Sequence, residues 1–231
     1  MRIAAICSAG GSSFFSLVDI LIATGRYKPD NFLIITDRKC NAEKESSKRS
    51  IVFYRIEGLD NQSFSDSAQK KFDVFNPTLI LLYFSRLITE TVYLKQLTVN
   101  IHPSLLPAFK GFKAIEQAKS SNCKFFGATL HLVNGIADSG LIISQVVFPV
   151  QDELDISQFQ KISFIQKVYL GLCAVEFTEK SFIEFKSSLA ESPIKNSGRS
   201  TWTSNPALMT SEYIYEFIKF QTQQGLEVIL P

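Results

Sequence analysis

Residues 3–21 read IAAICSAGGSSFFSLVDIL. A strand-length apolar run, Ile3 to Cys7, ends in the small-residue cluster Ser8-Ala9-Gly10-Gly11-Ser12-Ser13. Beyond it Phe14, Leu17, Val18 and Leu21 recur at helical spacing. Strand, glycine turn and helix follow one another with no polar gap between them, the opening of an α/β unit. The alternation continues. Asn31 to Asp37 is a second buried strand, NAEKESSKRS (41–50) a solvated helix, and Ile51 to Ile56 a third strand. A helix over about 63–75 leads to the most apolar run, Thr78 to Phe84; a short helix near 89–95 precedes the strand Leu97 to His102. Continuously apolar strands alternating with helices predict an α/β fold: a Rossmann-like, mostly parallel sheet with helices on both faces.

From Pro103 the pattern changes. Residues 111–120 can form a helix, whereas 125–133 and 141–150 are longer strands joined by NGIADSG, a turn rich in Gly, Asn and Asp, and are expected to pair with each other. The sheet thus continues into an antiparallel pair. A long helix carrying Phe164, Val168, Leu172, Val175 and Phe182 closes the compact region near Leu189. The predicted organisation is a catalytic domain over 1–189 and a C-terminal helical tail over 190–231. That tail opens on AESPIKNSGRSTWTSNP and carries a helix from about Ser211 to Gln224. Tyr213, Ile214, Phe217 and Ile218 lie close to one face of this helix, which can pack on its own core or across a homodimer.

Composition excludes several classes. Lys plus Arg (24) against Asp plus Glu (22) leaves a net charge of +2, without the basic surface that nucleic acid requires. The four cysteines, Cys7, Cys40, Cys123 and Cys173, have no metal-ligand spacing, and no apolar run reaches the length of a membrane span. The expectation is a reduced, cytoplasmic setting with no structural metal and no membrane insertion.

Two features carry chemistry. The turn Gly10-Gly11-Ser12-Ser13 can present backbone N–H groups and two hydroxyls at a helix N-terminus, which suits a phosphate; a tight strand-to-helix turn would use the same residues, so the loop alone leaves both readings open. In VNIHPSLLP (99–107), Asn100 and His102 are two apart on a strand and face the same side. With a carboxylate nearby, amide and imidazole can hold a carbonyl oxygen that gains negative charge. A lone histidine at a strand end is more often structural, and spacing by itself does not separate the two readings.

The wider pattern does. NIHPSLLPxFxG from Asn100 to Gly111, GATLHLV from Gly127 and ADSGLIISQ from Ala137 resemble, in order and spacing, the formyltransferases that use 10-formyltetrahydrofolate. With the glycine loop the resemblance spans about residues 1–185. It implies a catalytic trio of Asn100, His102 and Asp138. It implies a pterin site on Ser85, Arg86, Leu87 and Ile88 and on Val133, Gly135 and Ala137, with Arg86 the one side chain singled out. An acceptor site would comprise Gly10, Gly11, Ser12, Ser13 and Pro103, and no metal is implied. His131 is read as structural or supporting, Cys7 as a core residue and 38–49 as a solvated face.

The acceptor is expected to be a small primary amine. Gly11-Ser12-Ser13 is similar to the phosphate loop of glycinamide ribonucleotide transformylases. However, the stretch that in those enzymes carries a ribose-binding acid here reads Ile162-Ser-Phe-Ile165-Gln166-Lys-Val-Tyr169-Leu170, with Ile165 at the acid position. An aliphatic chain cannot satisfy a diol. The tail Gly198-Arg-Ser-Thr-Trp202 departs further; Trp202 can stack on a base or pack the tail onto the core. A nucleotide-linked amino-deoxy sugar of surface-polysaccharide (lipopolysaccharide) synthesis is the favoured acceptor. The alternatives are a divergent glycinamide ribonucleotide transformylase of purine synthesis and a non-catalytic binding protein on the same fold. A methionyl-tRNA formyltransferase is disfavoured because about forty weakly charged tail residues supply no RNA-binding surface.

Overall fold

The computed structural model describes residues 1–150, 154–180 and 203–225. The boundary expected near 189, the helix end beyond 180 and Trp202 lie outside the described residues. Two compact units emerge: Met1–Asn100 with Leu132–Gly140, and Ile101–His131 with Leu141–Pro231.

The first unit is built on parallel strands. In chain order it holds β1 (Ile3–Cys7), α1 (Ser12–Ala23), β2 (Phe32–Thr36), α2 (Asn41–Lys48), β3 (Val52–Arg55), α3 (Asn61–Phe75), β4 (Leu79–Tyr83), α4 (Glu90–Tyr93) and the start of β5 (Thr98–His102). The spatial order is β3-β2-β1-β4-β5, every pair parallel, with Ile3 opposite Phe32 and Leu79, and Cys7 opposite Thr36 and Tyr83. Alternation along each strand sends Ala4, Ile6, Leu33, Ile35, Ile80 and Leu82 to one face, where Phe64, Ala68 and Phe72 of α3 cover them. The opposite face meets α1, whose Phe14 ring packs edge-on to Phe32 and tilted against Tyr83. Helices on both faces explain why β1 and β2 are buried at every position.

Two local expectations change. The third strand is an exposed edge, with Val52 53% and Tyr54 40% accessible, because nothing lies beyond it in the sheet of this unit. The charged stretch at 41–50 does form a helix, yet Ala42, Glu43 and Ser46 are buried. Glu43 is drawn inward by Arg55, whose Nε and Nη2 reach its carboxylate at 2.8 and 2.7 Å, and by the Thr36 hydroxyl.

The second unit is antiparallel. It contains α5 (Ala114–Ser120), β6 (Phe125–Leu132), β7 (Ile142–Pro149), α6 (Ile156–Glu179), β8 (Thr203–Asn205) and α7 (Ser211–Gln223). Strands β6 and β7 pair from Phe125↔Pro149 inward, with an irregularity at Leu130/His131, and β8 adds to β7, a strand the sequence reading did not expect. A Cβ on Gly127 would lie 2.2 Å from the Val146 carbonyl oxygen and 2.5 Å from Leu105, so only glycine lets these segments approach.

Helix α6 starts eight residues before Phe164, at Ile156, where Asp155 caps it by accepting from the Gln158 N–H. Its far end holds α7. The buried Glu176 carboxylate accepts from the Met209 and Thr210 backbone N–H groups and from the Thr210 hydroxyl. Tyr169 packs edge-on to Phe217, and Phe164 packs against Phe220. The predicted tail helix therefore docks on α6 of its own chain.

Candidate active site

The glycine turn follows from the strand it ends. Cys7 closes β1 as a fully buried core residue, and burial raises its thiol pKa far above the ordinary range, as does the nearby Cys40. That suits packing rather than nucleophilic attack. Gly11 then takes φ +60° as the N-cap of α1; a Cβ there would stand 3.2 Å from the Cys7 sulfur. No side chain caps this helix, so its first N–H groups are aimed beyond the carboxyl end of β1. Ser12 and Ser13 form the first turn, Ser13 being buried.

Asn100 is half-buried on β5, opposite Leu82 of β4. Its amide Nδ2 donates to Asp138 Oδ1 at 3.4 Å, bringing two members of the expected trio together in the first unit. Asp138 sits at φ +51° in a turn that Asn134 organises by accepting from the Ile136 N–H and the Ser139 hydroxyl. A left-handed aspartate is uncommon, and here it lets the carboxylate address the strand end.

His102 belongs to the second unit, two residues further along β5, and is buried. Its Nε2 lies 2.7 Å from the Phe109 carbonyl oxygen. Because a carbonyl only accepts, Nε2 carries the proton and Nδ1 is the basic nitrogen of the neutral ring. The loop that presents Phe109 is braced from within: the Ser104 hydroxyl donates to Ala108 O at 2.6 Å, and Thr129 donates to Ser104 O at 2.7 Å. Thr129 also accepts from the Leu106 N–H at 3.0 Å and from Gln145 Nε2 at 2.9 Å. Pro103 leads from His102 into this loop. His131 is buried on β6 beside the strand irregularity.

The residues expected to meet a pterin are distributed differently from one another. The Ser85 N–H donates to Ser8 Oγ at 3.1 Å, and the Val133 N–H to Thr98 O at 2.9 Å. Ile88 is core, whereas Leu87, Gly135 and Ala137 are exposed. Arg86 is occupied inside its own unit: Nε donates to Asn61 Oδ1 at 3.0 Å, Nη2 to Leu59 O at 2.8 Å, and the guanidinium lies 5.5 Å from the Phe64 ring centre. Its observed work is to hold the loop before α3, a role that no spacing rule announces.

Asp37, read as the end of the second strand, and Arg38, read as part of the solvated face 38–49, form a pair. Asp37 directly follows β2 with its side chain 1% accessible, and Arg38 grips its carboxylate through Nε and Nη2 at 3.1 and 2.7 Å. An acid directly after the strand that follows a glycine turn was the available signal. Among the described residues no group of three or more His, Cys, Asp or Glu side chains could hold a metal, and no helix is long and apolar enough to cross a membrane.

A strand–glycine turn–helix opening, an Asn-x-His strand and an acid turn define an α/β group-transfer enzyme. Residues 1–165 match the formyl transferase family, and the chain belongs to it. It is 29% identical over 157 residues to the phosphoribosylglycinamide formyltransferase of Mycobacterium tuberculosis, covering 65% of this chain and 72% of that protein. A formyltetrahydrofolate deformylase of Haemophilus influenzae is 31% identical over 143 residues, covering 60% of this chain and 48% of that one. The glycinamide ribonucleotide transformylase 1 structure from Symbiobacterium toebii shares the fold, with a TM-score of 0.70 at 23% identity over 78% of this chain and 88% of that chain. The protein is a folate-dependent formyltransferase, with 10-formyltetrahydrofolate as co-substrate.

Proposed function

We propose that the chain formylates the primary amine of a small phosphate-bearing acceptor, a nucleotide-linked amino-deoxy sugar. The observation that carries this reading is Ile165. It is fully buried on α6 at the position where the resemblance puts a ribose-binding carboxylate, and Ile162, one turn earlier, is buried too. An aliphatic pair would leave ribose hydroxyls unpaired, which strongly disfavours an acceptor that relies on that grip. Glycinamide ribonucleotide is the second reading, favoured by the name of the Mycobacterium tuberculosis relative and by the uncapped glycine turn.

In either case the roles are the same. The amine attacks the formyl carbon, the carbonyl oxygen becomes an oxyanion, and the folate nitrogen departs with a proton. Asn100 Nδ2 would donate to the oxyanion. His102 would donate to it as well. Asp138 would accept, through water, the proton leaving the amine. Gly10, Gly11, Ser12, Ser13 and Pro103 would hold the acceptor. Ser85, Leu87, Ile88, Val133, Gly135 and Ala137 would line the pterin site by backbone and apolar contact, with Arg86 shaping it from behind.

Release of tetrahydrofolate, followed by absorbance, tests the proposal with amino-sugar nucleotides and glycinamide ribonucleotide in parallel. Turnover with the former is expected. Turnover with glycinamide ribonucleotide alone moves the protein to the second reading, release without any amine makes it a hydrolase like the deformylase relative, and none at all makes it a binding protein.

A further inference from the structure

The loop between His102 and Phe109 is held from outside its own span. Leu105 lies over Gly127 of β6, where a Cβ would stand 2.5 Å from its Cδ2 carbon. Two residues along the same face of β6, the buried Thr129 hydroxyl takes the loop at two points, donating to Ser104 O at 2.7 Å and accepting from the Leu106 N–H at 3.0 Å. Thr129 stands opposite Gln145 of β7, so the two side chains share a face. Gln145 Nε2 donates to Thr129 Oγ1 at 2.9 Å and to Leu106 O at 3.0 Å.

These partners fix the sense of every bond. A hydroxyl offers one hydrogen and two lone pairs, and all three are used on Thr129. Amide nitrogens only donate, so Gln145 and the Leu106 N–H fill the lone pairs and the hydroxyl hydrogen goes to Ser104 O. Gln145 thereby orients the hydroxyl that pins Ser104 and also pins Leu106 itself. Its main chain is held on both sides, opposite Thr129 of β6 and opposite Asn205 of β8, and the neighbouring Ser144 hydroxyl donates to Pro206 O at 3.1 Å.

From Ser104 the contacts reach the imidazole. The Ser104 N–H donates to His102 O at 2.9 Å, and the Ser104 hydroxyl to Ala108 O at 2.6 Å. The next carbonyl, Phe109 O, is the one that His102 Nε2 meets at 2.7 Å. Phe109 holds φ +52°, a left-handed backbone that a bulky residue keeps only where its surroundings impose it. The bonds that precede it in the loop lead back to Thr129 and Gln145.

We propose that Gln145, acting through Thr129, is a positioning residue for His102: it fixes the 103–109 loop and with it the carbonyl that holds the imidazole Nε2–H. An apolar side chain at 145 would take a donor from Leu106 O and let the Thr129 hydroxyl turn, so the loop would lose its fixed course. The inference rests on the preceding reading of His102 as a group acting on the formyl carbonyl, but its first test does not depend on turnover.

The chain has two histidines, so isotope labelling of the imidazole nitrogens of the whole protein gives two sets of ring signals in magnetic resonance, which His102→Gln assigns. Exchange of the His102 Nε2 proton with solvent should be about tenfold or more faster in Gln145→Met. It should be as fast in Gln145→Glu, which keeps the shape but turns an acceptor toward Leu106 O and Thr129. Thr129→Ser keeps the hydroxyl and should exchange as the parent does. Glu176→Ala is the stability control: it loosens α7 in the same unit, lowers the melting temperature and should leave the His102 signal unchanged. Formyl transfer to the amine that the unmodified protein accepts should fall about tenfold in kcat in both Gln145 variants, with KM within about twofold. Parent-like exchange in Gln145→Met, or exchange accelerated to the same extent in Thr129→Ser or Glu176→Ala, would each overturn the proposal. Fast exchange with unaltered turnover defeats the role assigned to His102 and leaves the positioning standing; parent-like exchange with lost turnover does the reverse.

Discussion

The two units handle their carboxylates in opposite ways. In the first, acids meet arginines at the ends of elements: Asp37 with Arg38, Glu43 with Arg55, Asp19 with Arg49. In the second, Glu176 is buried inside the helical layer and satisfied by the backbone N–H groups of Met209 and Thr210, with Lys180 Nζ 3.4 Å away. The first arrangement ties side chains on or beside strands and helices to one another. The second fastens one helix to another. The difference separates a unit whose acids pair with arginine side chains from one organised around a polar lock.

The largest expected effects strike the residues at and beyond the end of β5. Asn100→Ala, His102→Ala and Asp138→Asn should each lower formyl transfer about 100-fold or more with little change in melting temperature, as expected for loss of oxyanion donors or a proton acceptor. Steady-state rates measured beside thermal unfolding separate chemistry from folding. Near-normal turnover in any one of them would remove that residue from its assigned role. Ser104→Ala removes the hydroxyl that braces the loop presenting Phe109 and is expected to lower turnover less than His102→Ala does.

Packing changes come next and belong to the second unit. Gly127→Ala places a methyl against the backbone oxygen of Val146, which cannot swing aside as a side chain could, and should destabilise by about 3 kcal/mol. Glu176→Ala removes the acceptor of two backbone N–H groups and should lose roughly 2–3 kcal/mol in denaturant unfolding. If Glu176→Ala were as stable as the parent, the lock between α6 and α7 would not be what holds the tail helix.

How much of this was legible before the structure depends on the kind of information involved. The strand–turn–helix opening, the parallel strands and the antiparallel pair could be read because burial on both faces writes continuous apolar runs, and because Asn, Asp and Gly mark the turn at 134–140. The Asn100, His102 and Asp138 set was readable as motif and spacing. Long-range side-chain geometry was not. Nothing in the sequence pairs Arg86 with Leu59 and Asn61, sends Glu43 inward to Arg55, or sets Glu176 under Thr210, since these contacts join residues 12 to 34 positions apart with no periodicity. The Nε2 contact of His102 with Phe109 depends on the path of the 103–111 loop, which the pattern HPSLLP does not encode.

The smallest effect tests the comparison from the side of the first unit. The Arg55 guanidinium, joined by the Thr36 hydroxyl, holds the Glu43 carboxyl below the ordinary glutamate range despite the opposing pull of burial. A carboxyl whose pKa is lower folded than unfolded adds stability that is fully present above the unfolded value. That stability is lost as pH falls through the folded one. Thermal unfolding of the parent protein between neutral and acidic pH should therefore show a declining limb below the normal glutamate range, and Glu43→Gln should flatten that limb while changing the neutral-pH stability by only about 1 kcal/mol, because the arginine side of the pair is open to water. An acid limb unchanged by Glu43→Gln would place the acid-sensitive group elsewhere. A loss at neutral pH as large as that of Glu176→Ala would mean that the first unit too depends on a buried polar lock, and the contrast between the units would fail.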